Sequence, residues 1–404
     1  MVYAAILGYG TVGSGVAHVL EENRDMINKK AGEAISVRYI LDLRDFPGDP
    51  NEDKVVHDFD IILQDPEVSV ICETMGGLEP AYTFSRKALL AGKSVCTSNK
   101  ELVAAHGPEL LQLARENNCN YLFEASVGGG IPIIRPMNYS LTAEKIDGIT
   151  GILNGTTNYI LTKMKREGAD FATVLKEAQE KGYAEKNPEA DVEGHDACRK
   201  IAILSSLMLG KTVRYEDIYT EGITQITVED FRYAKELERT VKLLAISKLT
   251  DEGCFVMVAP FLISNTNPLH GIHDVYNAVF VHSNMLGDSM YYGKGAGKLP
   301  TASAVVSDVV DCARHQGKTV MCFWDAEEVK PIDYHTVVRR FFVRADSREL
   351  EEAKAQEIFG AIEVIRLADK PQEYGFVTPP MTEQAFAERK NSVKGILGRI
   401  RLED

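Results

Sequence analysis

The stretch Gly182-Tyr-Ala-Glu-Lys-Asn-Pro-Glu-Ala-Asp-Val-Glu-Gly-His-Asp-Ala-Cys-Arg-Lys200 crowds carboxylates and a lysine between two apolar helical patterns. Downstream, Ala197, Ile201, Ala202, Leu204, Ser205 and Leu209 recur at helical spacing, which predicts a helix from about Asp196 to Gly210. Asp196 and Lys200 then sit one turn apart, acid before base, which suits both the ion pair and the helix dipole. Asn187-Pro188 and Gly194 mark the preceding segment as a loop that delivers Glu185 and Asp191 to the same helix start. Acids beside an amine can hold an ammonium group and move a proton, but the same pattern describes a solvated salt-bridge helix after a polar loop. The rest of the chain decides between the two.

Upstream lie the elements that would bring a partner to this stretch. Val2-Tyr-Ala-Ala-Ile-Leu7 reads as a strand, Gly8-Tyr-Gly10-Thr-Val-Gly13-Ser-Gly15 as a glycine turn, and Val16, Ala17, Val19 and Leu20 as a helix face. The first glycine permits the tight turn, Gly10 lets the backbone approach a pyrophosphate, and Gly13 lets helix and strand pack closely. The helix N-terminus supplies amide donors, so Gly8, Gly10, Thr11, Val12 and Gly13 are the expected cofactor-binding residues of a site for NADP or NAD. A second strand, Ser36 to Leu41, ends in Asp42-Leu43-Arg44. Asp42 suits a ribose 2′-hydroxyl and Arg44 a 2′-phosphate, and the guanidinium fork tips the reading toward NADP.

Strand and helix go on alternating: Val68 to Cys72, a helix from Pro80 to Leu90, Ser94 to Cys96, a helix over about 101 to 117, and Tyr121 to Phe123. Lys100 falls at a strand's C-terminal end, the edge where open α/β sheets bind ligands. In Glu124-Ala-Ser-Val-Gly-Gly-Gly-Ile-Pro132 a carboxylate and glycine-exposed carbonyls suit a hard cation, and equally a flexible crossover between domains. Ile149 to Ile160 reads as a strand followed by a helix start at Asn154-Gly-Thr, whose small residues admit a compact polar ligand. Phe231 to Leu249 reads as a helix and Cys254 to Ala259 as a strand. His270, His273 and His282 are not at metal spacing and are read as structural.

With 404 residues, 45% hydrophobic and 26% charged, the chain has material for two or three globular domains. A formal charge of −14 repels nucleic acid and anionic membrane, so neither is an expected partner. No apolar run approaches the roughly 18 residues of a membrane span, and no secretory leader is read at the N-terminus. Seven scattered cysteines without a Cys-x-x-Cys pair suit reduced thiols in a cytoplasmic protein rather than disulfides or zinc.

Gly8-Tyr-Gly-Thr-Val-Gly13, Thr97-Ser-Asn-Lys100, Glu124-Ala-Ser-Val-Gly-Gly-Gly-Ile-Pro132, Asn154-Gly-Thr-Thr-Asn158, Gly182-Tyr-Ala-Glu185, Asp191-Val-Glu-Gly-His-Asp196 with Lys200, and Gly295-Ala-Gly-Lys-Leu-Pro-Thr301 follow one another in an order that resembles homoserine dehydrogenase over roughly residues 1 to 325. The resemblance implies reversible reduction of L-aspartate 4-semialdehyde to L-homoserine by NAD(P)H, a step of threonine and methionine biosynthesis. It implies paired active-site lysines, Lys100 and Lys200, with Lys200 as proton donor. Glu185 would hold the substrate's ammonium group, with Asp191 and Asp196 lining the same pocket. Glu124 and the backbone oxygens of Val127, Gly129 and Ile131 would hold a monovalent cation, sodium, and Gly297 would return the chain to the cofactor. The chemistry agrees: hydride attack on an aldehyde leaves an alkoxide, which calls for a cation and a proton source, and two ammonium groups supply both. Their mutual repulsion is expected to lower the pKa of one. A catalytically silent sensor of the same fold would not need both lysines, Glu185 and Asp196; a dehydrogenase of another small amino acid is the remaining alternative.

The expected architecture is α/β, with a Rossmann-type dinucleotide-binding domain over residues 1–135 and an α+β catalytic, substrate and dimerisation domain over 136–292. A return segment over 293–325, with a helix from Ser303 to Arg314, packs on the first domain. A ferredoxin-like βαββαβ unit occupies 333–404. That unit resembles an ACT domain, yet Ala345-Asp-Ser-Arg-Glu-Leu350 lacks the Pro-Gly turn with which such domains grip an effector, and Ser347 reads as the cap of an immediate helix start. No strong threonine switch is therefore expected. The edge strand Ile362 to Leu367 is instead expected to pair across a homo-oligomer, a dimer or tetramer. With no aspartate kinase before Met1, a monofunctional enzyme is expected.

Overall fold

The computed structural model describes residues 1–403. Its N-terminal sheet is parallel and runs, edge to edge, Val55–Val56, Ile35–Leu41, Val2–Leu7, Val68–Glu73, Ser94–Thr97, Tyr121–Leu122. In chain order that is 3-2-1-4-5-6, the doubly wound arrangement, and the order reverses between Val2–Leu7 and Val68–Glu73. Helix Thr11–Glu22 follows the glycine turn as read from the sequence. The return helix begins earlier than Ser303, at Lys298, and runs to Arg314. It lays Ala302, Val305, Val306 and Val309 against Val16, Ala17 and Leu20, so the two ends of the resembling region close one core.

The second sheet has ten strands, and one sequence reading fails in it. Phe231 to Leu249, expected as a helix, is divided: helix Val228–Glu236 stops, Glu238 takes a left-handed φ of 54°, and Arg239–Thr250 is a strand. That strand pairs along its whole length with Gly253–Ser264. Val241, Leu243, Leu244, Ala245 and Ile246 are buried on both faces of the sheet, so the apolar run shows no period of two and mimics a buried helix. Helices Gly155–Glu167 and His195–Leu209 cover one face of this sheet. Ile332, Tyr334 and Val337 help cover the other.

The C-terminal strands lie in the order Ile396–Glu403, Phe341–Asp346, Glu373–Val377, Glu363–Ile365, all antiparallel to their neighbours, which is the split βαβ arrangement expected of a βαββαβ unit. The unit does not stand apart from the rest of the second sheet. Ile396–Glu403 also pairs in parallel with Gly253–Ser264, through Phe261, Leu262 and Ile263, and makes the two sheets one. Buried charge locks the seam: Arg401, with no exposed surface, reaches Glu383 at 2.5 Å and Glu221 at 2.7 Å, while Arg344 reaches Asp230 at 2.7 Å and Glu373 at 3.0 Å. Ser347 is not a helix cap. Asp346 binds the Arg348 and Leu350 amides in a turn, Leu350 is buried, and the helix starts at Glu352. The edge strand is shorter than read, Glu363–Ile365.

Candidate active site

A cleft of about 650 Å³ lies where the C-terminal edge of the parallel sheet faces the helices of the second domain. Lys100, Glu185, Asp191, Asp196, Lys200 and Gly297 all line it. Lys100 is the first residue of helix Lys100–Glu116, whose cap is Asn99, the Oδ1 of which accepts the Leu102 N–H at 3.1 Å. Asp196 and Lys200 ride on His195–Leu209, close to the limits read from the sequence. The segment before it is not all loop, since Glu189–Val192 forms one helical turn that carries Asp191. Gly194, at φ 84°, starts this helix where a Cβ would lie 3.1 Å from Thr220 and 3.3 Å from Val258.

One carboxylate organises the floor of the cleft. Asp196 Oδ1 lies 2.5 Å from Lys100 Nζ and Oδ2 lies 2.7 Å from Lys200 Nζ. Lys200 also donates to the Leu153 carbonyl oxygen at 2.8 Å. Burial alone would raise the Asp196 pKa, but the charges of Lys200 and Lys100 overcome it and hold the group ionised. The lysines are pushed apart. Burial lowers the Lys200 pKa, against the pull of Asp196 and with a further push from Lys100, whereas Asp196 raises that of half-exposed Lys100. The expected repulsion between the two amines is thus present, but burial outweighs it. Asp191 is raised by burial and then by Asp196.

The sequence marks Asn154 as a helix start and as part of a resembling motif, but assigns it no partner. Its Nδ2 donates to Asp191 Oδ1 at 2.7 Å and to Asp196 Oδ2 at 2.9 Å, while its Oδ1 caps its own helix at the Thr157 N–H, 2.8 Å away. Four residues on, Asn158 donates to the carbonyl oxygens of Asp274 and Tyr276, both at 3.0 Å, which fixes Val275 in the cleft wall. Buried Lys242, also missed, donates to Asn158 Oδ1 at 3.0 Å, and burial lowers its pKa to about 7. The Asn154-Gly-Thr-Thr-Asn158 motif was the signal for this network. Glu185 sits at the exposed rim, where Gln179 holds its backbone oxygen at 3.0 Å.

The glycine turn fits a dinucleotide. A Cβ on Gly13 would lie 2.0 Å from the Gly8 carbonyl oxygen, whereas one on Gly10 would meet nothing within 4 Å, so the chain is open at Gly10 where the helix begins. At the end of the second strand, Asp42 accepts the Tyr9 N–H at 2.8 Å and the Arg44 fork at 2.9 and 3.0 Å. Arg44 holds the Asp42 carboxyl down at about 2 and lies over the Phe46 ring. In the glycine crossover, the Glu124 carboxylate accepts the Ile133, Ile134 and Arg135 amides at 2.6, 3.0 and 2.6 Å. It orders the loop in which Val127 and Ile131 are buried and Gly129 lines the cleft. Among the described residues no group of three or more His, Cys, Asp or Glu side chains is placed to hold a metal ion.

Comparison with known proteins agrees with the geometry. The family model described as homoserine dehydrogenase matches residues 132–310, and that described as homoserine dehydrogenase, NAD binding domain, matches residues 8–124. The homoserine dehydrogenase of Bacillus subtilis is 43% identical over 310 residues, covering 76% of this chain and 71% of that one. The crystal structure of a homoserine dehydrogenase from Thiobacillus denitrificans superposes with a TM-score of 0.89 at 35% identity, over 100% of this chain and 98% of that one. A hyperthermophilic archaeal homoserine dehydrogenase in complex with NADPH matches 77% of this chain and 97% of its own, with a TM-score of 0.66 at 29% identity. On both family models and these relatives, the chain belongs to the homoserine dehydrogenase family.

Proposed function

We propose that the family's reaction, reversible NAD(P)H-dependent reduction of L-aspartate 4-semialdehyde to L-homoserine, is carried out in the cleft around Asp196, and the single observation that carries this is the bridging of Lys100 and Lys200 by that buried carboxylate. When bound, the nicotinamide supplies the hydride to the aldehyde carbon. Lys100, kept charged by Asp196, stabilises the oxygen as it becomes an alkoxide. Lys200, whose pKa is lowered, gives that oxygen its proton. Asn154 orients Asp191 and Asp196, and Glu185 at the rim takes the substrate's ammonium group. We further infer a monovalent cation, sodium, held by Glu124 with the backbone oxygens of Val127, Gly129 and Ile131; its role there would be to fix the crossover. Following NADPH and NADH oxidation with aspartate semialdehyde beside other small aldehydes tests the assignment, and equal rates with an aldehyde lacking the amino group would remove Glu185 from its role.

The assignment of Lys200 fixes the sign of the pH dependence. Its pKa lies below the ordinary 10.5. In homoserine oxidation the neutral amine must take the alcohol proton, so kcat/KM rises with pH through that pKa. In aldehyde reduction the ammonium must donate, so kcat/KM falls through the same window. Profiles measured in both directions are expected to cross, and parallel profiles would show that another group moves the proton.

The cofactor we infer is NADP rather than NAD. Arg44 neutralises Asp42, whose charge would otherwise repel a 2′-phosphate, and its exposed guanidinium lies at the ribose end of the second strand. Arg44→Ala is expected to weaken NADPH by about 10- to 100-fold, the worth of a charge-assisted bond, and NADH much less. Titrating both cofactors by fluorescence checks this, and equal losses would leave Arg44 a surface charge. We further infer a cytoplasmic homo-oligomer. Seven free buried cysteines support the compartment, and among the described residues no helix is long and apolar enough to cross a membrane. The outer hairpin strand Gly287–Lys294, with Met285, Leu286, Met290 and Tyr292 exposed, supports the association.

A further inference from the structure

Glu73 ends the strand Val68–Glu73, beside the point where the strand order reverses, and takes no part in the chemistry above. It is fully buried, and its two oxygens face different elements. Oε1 accepts the Met75 N–H at 2.7 Å and so holds the turn 74–77, in which the Thr74 hydroxyl lies 3.0 Å from the Leu7 and 2.8 Å from the Gly8 carbonyl oxygen of the glycine turn. Oε2 accepts the Thr97 hydroxyl at 2.5 Å. Thr97 Oγ1 in turn accepts the Asn99 N–H at 2.9 Å, and the Asn99 side chain donates to the Gly77 carbonyl oxygen at 2.7 Å while it caps the helix that begins at Lys100. These bonds share one polarity. An acceptor at position 73 makes the Thr97 hydroxyl donate, which leaves a Thr97 lone pair aimed at Asn99.

We propose that Glu73 is a positioning residue for the reaction: through Thr97 and Asn99 it sets Lys100 opposite Asp196, and it ties that placement to the turn 74–77 along the cofactor crevice. This rests on the part assigned to Lys100 above. Burial pushes the Glu73 carboxyl up to about 7, against the bonds from Thr97, Met75 and Asn99, so well above that pH it is ionised and accepts only.

Glu73→Gln keeps size and shape but turns an amide N–H toward Thr97 or Met75, which breaks one end of the chain of bonds. Assayed well above pH 7, Glu73→Gln is expected to lower kcat by about 10- to 100-fold, the scale of a small misplacement of a reacting group. The cofactor KM is expected to stay within about threefold. In a Lys100→Ala background the same change is expected to cost nothing further, since its effect passes through Lys100. If the two losses instead multiply, Glu73 only supports the fold and the proposal fails while the assignment of Lys100 stands. If Lys100→Ala itself keeps full activity, that assignment fails and takes the proposal with it. Should Glu73→Gln not fold, Thr97→Val and Thr97→Ser decide: loss with valine and recovery with serine support the relay, and normal kcat with valine overturns it.

Discussion

Lys200→Ala is expected to lower turnover by about 10²–10⁴-fold, the usual contribution of a positioned general acid, and to leave NADPH binding close to normal. The variant removes the buried amine proposed as proton donor and one of the two cations beside Asp196, yet Asp196 keeps its bonds to Lys100 and to Asn154, which hold the floor of the cleft in place. The glycine turn and Asp42 lie on other elements and are untouched. Single-turnover rates with a saturating cofactor, beside fluorescence titration of NADPH, separate the two effects. A variant within a few-fold of normal turnover would mean that Lys200 only neutralises Asp196, and a variant that also lost NADPH would mean that the cleft had collapsed.

Much of this site could be read before any coordinates, because its parts obey local rules. The turn Gly8 to Gly13 is set by close backbone approach, which only glycine allows, and Asp196 and Lys200 announce themselves by helical spacing. Lys100 was visible as a strand-end residue of an open sheet. What joins these elements was not visible. That Asn154 bridges two aspartates 37 and 42 positions away follows from tertiary packing alone. The role of Glu124 shows the same limit: a carboxylate before three glycines suits a cation on sequence grounds, but that it also accepts three amides of its own loop follows from the fold alone.

The sheet shows why the remainder was hidden. Thr240 to Ser247, the middle of the strand Arg239–Thr250, is buried on both faces and so carries no alternation from which a strand can be recognised. The βαββαβ order of the C-terminal unit was legible from its periodicities. Its attachment was not, because Ile396–Glu403 pairs with both Phe341–Asp346 and Gly253–Ser264, and a strand's second neighbour leaves no mark in its own sequence. The expected pairing of Ile362 to Leu367 across an oligomer is a separate matter from this attachment within the chain, which runs through Ile396–Glu403.

That attachment yields a large expected effect far from the chemistry. Arg401→Ala would leave Glu383 buried without its cation and Glu221 with Arg399 alone, and removing one partner of a buried pair costs about 3–5 kcal/mol. The double change Arg401→Met with Glu383→Leu removes both buried charges and fills the space, so it is expected to recover most of that loss. Urea midpoints of the two variants test this directly, and a double variant no better than Arg401→Ala would mean that the ion pair is not what holds the seam. Deleting residues 396–404 is expected to do more, since it opens the edge of Gly253–Ser264 at Phe261 to Ile263. Val258 of that strand packs where Gly194 starts the helix carrying Asp196 and Lys200. Loosening the strand therefore shifts both groups relative to Lys100, and displacement of this kind costs up to about 10²-fold in rate. The truncated enzyme is expected to lose both stability and turnover; one that kept its normal urea midpoint and rate would show that the C-terminal strand is an ornament on the catalytic sheet rather than part of it.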